Sequence, residues 1–272
     1  MSGTPSFANN AYIVFYTNFA VNALASLITL CLMYSMWRAG RLKLNIYTKC
    51  AIQMAFMQLI YEVATPFYSV ALIAVTFATG AAQGYSSAAI VLTTGGIFLG
   101  GTGATVWSMM MLVSVLFTVH YGRQPTPKEQ LITGVIVNLL LIAFTVQAMV
   151  RTHVEYHADS PSYYYYQVHI FNDYNIGRVV LIALSGICLL RLYQVMLWTS
   201  IKGERFRSPL FHLLRKIAPY TIILAVARFG ASAYQWIYNG APTLIPANAD
   251  GWQIFWLYVF VLLTPAASLG LL

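Results

Sequence analysis

The sequence predicts an all-α membrane protein, a single bundle of seven transmembrane helices with its N-terminus outside. Three observations carry that expectation. Of 272 residues, 59% are hydrophobic and only 8% charged, with a mean hydropathy of +0.68, whereas a soluble domain carries about 25% charged residues. Seven apolar runs each meet the roughly 20 residues that a bilayer-spanning helix needs. The basic residues collect in alternate connections between those runs, as cytoplasmic loops do under the positive-inside rule.

In order, the predicted spans cover about 12–37, 47–76, 87–119, 130–150, 174–200, 213–238 and 252–272. Span one begins near Tyr12 and runs to Trp37 with no basic n-region or cleavage site before it, so it stays in the bilayer. It places Asn18, Asn22, Ser26 and Thr29 along one helix face. The connection RAGRLKLN follows, and Arg38, Arg41, Lys43 and Lys49 belong to it or flank it. Span two repeats the polar stripe with Gln58, Glu62, Thr65 and Ser69, and Pro66 interrupts its hydrogen-bond ladder. The next connection, TGAAQGYSS, has no Lys or Arg.

Span three contains TTGGIFLGGTGATVW, in which Gly96 and Gly100 stand in GxxxG spacing and let a neighbouring helix approach closely. The Met109–Met111 run reads as adaptable core filler. HYGRQPTPKEQ, with Arg123 and Lys128, leads into span four. The long segment 151–173 holds Arg151 against Glu155, Asp159 and Asp173. Here Tyr164, Tyr166, Val168 and Ile170 alternate with Tyr163, Tyr165, Gln167 and His169, THVEYH alternates upstream, and ADSPS supplies turn residues. The pattern predicts a β-hairpin over 152–170 laid across the mouth of the bundle; the competing reading anchors the tyrosines at lipid headgroups. His153 and His157 would share a face for a metal only in a helix, which the strand pattern opposes.

Span five carries Arg178 and Arg191 near enough to its ends to snorkel. The fifth connection brings Lys202, Arg205, Arg207, Arg215 and Lys216. Span six starts near Pro219 and aligns Arg228, Ser232 and Gln235 on one face. A connection without Lys or Arg, NGAPTLIPANADG, precedes span seven with its internal Pro265. Trp236, Tyr238, Trp252 and Trp256 form an interfacial aromatic belt at the outer ends of the last two spans.

Counted by side, eleven basic residues fall on the predicted cytoplasmic face and one on the other. The formal charge of +8 is thereby explained by topology and an anionic inner leaflet, and no nucleic-acid partner is implied. Cys31, Cys50 and Cys188 all lie in apolar runs, so no disulfide framework and no zinc spacing exist. Neither an internal repeat nor a linker divides residues 1–272, and the chain ends at Leu272 near the end of span seven.

Glu62 and Arg228 are opposite charges in different spans, each roughly 20 Å above the cytoplasmic start of its helix, and a direct or water-bridged pair is expected. An N-out, seven-helix chain with a glycine-packed third span, basic inner loops and a kinked seventh span resembles the G-protein-coupled receptor superfamily. It carries His120-Tyr121-Gly122-Arg123 where rhodopsin-like receptors have an acidic-Arg-Tyr triplet, and Thr264-Pro265-Ala266-Ala267-Ser268 where they have Asn-Pro-x-x-Tyr. Span seven lacks the lysine that a retinal pigment needs.

The resemblance implies a plasma-membrane receptor, not an enzyme, that senses an extracellular ligand and signals to a cytoplasmic G protein. Its ligand side would draw on Asn22, Gln58, Glu62, Arg228, Ser232 and Trp236, capped by Tyr164, Tyr166 and His169. Its transducer side would draw on Arg123, Arg205, Arg207, Arg215 and Lys216. No cofactor or metal is called for. Two alternatives stay open: a transporter or channel along the Glu62 and Arg228 stripe, and a non-catalytic subunit of a larger membrane complex.

Overall fold

The structure is a computed structural model that describes residues 5–38, 46–77, 83–150 and 170–201, with positions 215, 218–219, 221–227, 229–230, 252, 255 and 259 beyond them. The described residues form five long helices: α1 Pro5–Arg38, α2 Ile46–Phe77, α3 Gln83–Tyr121, α4 Pro127–Val150 and α5 Ile170–Ile201. The chain is helical at 221–227 as well. No strand occurs among the described residues. The hairpin expected over 152–170 falls almost wholly outside them, and its last residue, Ile170, instead opens α5.

Four helices, α1, α3, α4 and α5, contain stretches long and apolar enough to cross a membrane. α2 is as long as α5, 32 residues, and carries Gln53, Gln58 and Glu62 within its apolar run. The five helices cover the residues of the first five expected spans, and four of them, all but α2, contain a stretch that could cross a membrane. α1 begins at Pro5, seven residues early, because proline at the first helical position needs no N–H partner. α3 stops at Tyr121, where Gly122 takes φ +65°, a left-handed cap that is costly for any residue with a Cβ.

α4 opens on a reciprocal cap. The Thr126 backbone N–H donates to Glu129 Oε2 at 2.6 Å, and the Glu129 N–H donates back to Thr126 Oγ1 at 3.3 Å.

α3 is the central helix. It packs on α2, α4 and α5, and α1 packs on α2. Its apolar stretch is 56% buried against 17% for those of α1, α4 and α5, so the other three turn most of their surface outward. The α2–α3 contact is the tightest. A Cβ on Gly96 would stand 2.7 Å from that of Ala64, and one on Gly100 would stand 2.6 Å from the Met57 carbonyl oxygen. Glycines at these positions let the two backbones approach as GxxxG packing requires.

Below that contact, Tyr47, Cys50, Met54 and Met57 of α2 meet Ala104, Trp107, Met111 and Val115 of α3 in one apolar cluster. Both sets recur every three or four residues, so each forms one helix face.

Candidate functional site

Parts of the polar stripes expected on spans one and two are buried and face each other; Ser26 is half-buried, and the side chain of Ser69 lies outside the described residues. Asn22 and Thr29 on α1 and Gln58, Glu62 and Thr65 on α2 are all at most 7% exposed. Glu62, 0% exposed, is the centre. Thr29 Oγ1 donates to its Oε2 at 3.1 Å across the helix pair, and Gln58 Nε2 donates to its Oε1 at 3.2 Å from one turn below. Glu62 lies 16 residues into α2, about 24 Å along the helix, which is its midpoint.

Two further features mark the same turn of α2. Pro66 has no N–H to give to the carbonyl of Glu62, four residues earlier. Thr65 Oγ1 donates instead to the Tyr61 carbonyl at 2.7 Å, so the helix keeps a side-chain bond beside the missing backbone one. A carboxyl group in this seam, with hydrogen-bond donors on both oxygens, can hold a cationic group or exchange a proton. Charged groups in a membrane interior usually serve such purposes.

Of the other expected ligand residues, Arg228, Ser232, Trp236, Tyr164, Tyr166 and His169 lie outside the described residues, as does the side chain of Asn18. The Glu62–Arg228 approach is therefore not part of the described geometry. Thr221, seven residues before Arg228, is buried and shares a 3.1 Å hydrogen bond with Ser108 of α3, which joins the 221–227 helical stretch to the central helix.

On the basic side, Arg205, Arg207 and Lys216 are likewise outside the described residues, and Arg215 is exposed. Arg123 is exposed but engaged. Its two terminal nitrogens donate to Glu129 at 3.0 and 3.1 Å, and its guanidinium lies 5.2 Å from the centre of the Phe117 ring.

One expectation is corrected. Arg178 does not snorkel; it is 6% exposed. α5 starts at Ile170 rather than near 174, which places Arg178 about two turns inside the helix. Arg191 is exposed and donates to Gln194 at 3.2 Å.

Sequence reasoning missed a second site, a groove of about 830 Å³ between α2, α3 and α4. At its mouth Lys49 Nζ donates to Gln130 Oε1 at 2.9 Å, and Gln130 Nε2 donates to the Pro125 carbonyl at 2.7 Å. Deeper in, Trp107 Nε1 donates to Asn138 Oδ1 at 3.3 Å and ties α3 to α4. The cap beside it was legible as Thr126-Pro127-Lys128-Glu129, a capping box with proline at the first helical position. A search of protein-family models and of curated proteins returned no match to the chain, so the functional reading rests on its own residues.

Proposed function

We propose that the chain is a seven-span receptor of the plasma membrane, N-terminus outside, that senses an extracellular ligand and signals to a cytoplasmic G protein. The observation that supports this reading best is Glu62, a fully buried carboxyl group at the midpoint of α2, hydrogen-bonded across the α1–α2 seam. Such a group is costly in a membrane unless it works with a partner. In this reading Asn22, Gln58 and Glu62 face Arg228, Ser232 and Trp236 across an outward cavity, and Tyr164, Tyr166 and His169 cover it.

A ligand that contacts both sides would bind one packing of span six better than another, which is the energetic requirement for a switch. The Ser108–Thr221 bond supports a route by which such a change reaches the central helix. Arg123, Arg205, Arg207, Arg215 and Lys216 would then meet the transducer.

The same carboxyl favours one other reading, a proton or solute path. Both are tested on reconstituted protein. The receptor reading expects faster GTPγS uptake by added G protein, abolished when Arg205, Arg207, Arg215 and Lys216 are replaced by Ala, with no change in liposome interior pH. Proton flux that disappears in Glu62→Gln, without any exchange activity, would replace the receptor by a transporter.

A further inference from the structure

The groove between α2, α3 and α4 is independent of Glu62 and of the receptor reading. Its long wall is α4, where Leu131, Val135, Leu139 and Ile142 recur every three or four residues and are all exposed. Exposed apolar residues on a membrane-spanning helix face lipid, so the groove opens sideways into the hydrocarbon. From Gln130 to Ile142 it runs about 18 Å at 1.5 Å per residue.

Two of its polar wall groups bond within the protein: Trp107 donates to Asn138, and Ser114 Oγ donates to the Met110 carbonyl at 2.7 Å. Gln53 and Thr133 line it too, but most of the lining residues are apolar. The mouth is different. Lys49 is exposed and donates to a neutral amide, and among the described residues the one ion pair is Arg123–Glu129. Of the charged side chains that line the groove, Lys49 and Glu129, the carboxylate is paired with Arg123, which leaves Lys49 as the cation at the mouth.

A cationic mouth over an apolar channel open to the bilayer has the pattern of an amphiphile with a negative head. We propose that this groove binds one anionic phospholipid of the adjoining leaflet, its phosphate at Lys49 and an acyl chain along Val135, Leu139 and Ile142. The groove's volume of about 830 Å³ lies in the range of clefts that hold a small molecule.

The test is native mass spectrometry of the full chain released from nanodiscs of equal phosphatidylserine and phosphatidylcholine. Wild type is expected to retain one phosphatidylserine over phosphatidylcholine by roughly fivefold, the factor expected of one cation at an anionic surface. Lys49→Gln brings that ratio near one, and Lys49→Arg keeps it.

Gly134 offers a way to fill the channel. A Cβ there would meet nothing closer than the Trp107 ring, at 3.8 Å, so Gly134→Leu grows into the groove and lowers retention of both lipids. Val113→Trp does the same from α3 if the first variant melts early. Equal retention of the two lipids by wild type overturns the proposal, as does an unchanged ratio in Lys49→Gln or full retention in both filled variants. Two other results also overturn it: displacement of the lipid by glycerophosphoserine, which marks a site for the free headgroup, and a dimer mass lost in Gly134→Leu, which marks a protein interface.

Discussion

A carboxyl group at the midpoint of a 32-residue helix is tolerable in a membrane because its oxygens receive hydrogen bonds from Thr29 and Gln58. Removing the acceptor leaves both donors without it, and a buried donor so deprived costs about 1–3 kcal/mol. Interhelical hydrogen bonds inside membranes average only about 0.6 kcal/mol, with a maximum near 1.7. Glu62→Leu is therefore expected to destabilise the protein by about 1–2 kcal/mol, and Thr29→Val by about 0.6 kcal/mol. The two losses share one bond, so Thr29→Val adds almost nothing in the Glu62→Leu background. Thermal release of the buried Cys50 thiol to a reactive dye measures each; additive losses would show that the two residues act separately. This seam was legible in the sequence because polar groups are rare in apolar spans and a spacing of four or seven residues puts them on one face. Arg178 was misjudged for a related reason. Its depth depends on where α5 begins, and the alternating pattern that ends at Ile170 assigned the first residue of that helix to a strand.

At the scale of helices, the α2–α3 contact separates two kinds of glycine. A Cβ on Gly100 would press on the backbone of Tyr61 and on the Met57 carbonyl oxygen, whereas a Cβ on Gly103 would press on the Met57 side chain at 2.7 Å. Backbone atoms of a packed helix move only if the whole helix moves, but a methionine side chain can change rotamer. Gly100→Ala is thus expected to cost at least the 1–3 kcal/mol typical of overpacking. Gly103→Ala offsets its smaller strain with the gain of about 1 kcal/mol that alanine brings to a helix interior, and ends near neutral. Thermal melts of the two variants in one detergent check the difference; equal losses would mean that α2 does not hold its position on α3. The GxxxG spacing was visible in the sequence and α3's central role followed from it. The helix ends were not, because hydropathy reports where the hydrocarbon begins, whereas caps such as Pro5, Gly122 and Thr126–Glu129 decide where the hydrogen-bond ladder stops.

For the whole molecule, legibility falls with the sequence distance between the parts. The groove arises where α2 and α4, some 80 residues apart at Lys49 and Gln130, diverge around α3, and no periodicity within one helix encodes a gap between two. Topology is the opposite case, since its expectation rests on composition alone. Lys49 of α2 reaches Gln130 of α4, and Tyr47 of α2 donates to Thr118 of α3 at 2.7 Å. The start of α2, the end of α3 and the start of α4 therefore lie at one end of the bundle, with Arg123 in the turn between the last two and Lys128 at the start of α4. If that end is cytoplasmic, as the positive-inside rule expects, the seven-span proposal puts the connection with Arg205 and Arg207 on the same side and the N-terminus opposite. Single cysteines introduced into a background without Cys31, Cys50 and Cys188 test this in intact cells. Ser2→Cys and Asp250→Cys are expected to react with an impermeant maleimide added outside, whereas Lys128→Cys and Arg207→Cys react only after permeabilisation. Labelling of Lys128→Cys from outside would invert the bundle and remove any cytoplasmic role for Arg123. Labelling of Arg207→Cys and Asp250→Cys from the same side would change the number of spans after α5, and with it the depth at which Arg228 can meet Glu62.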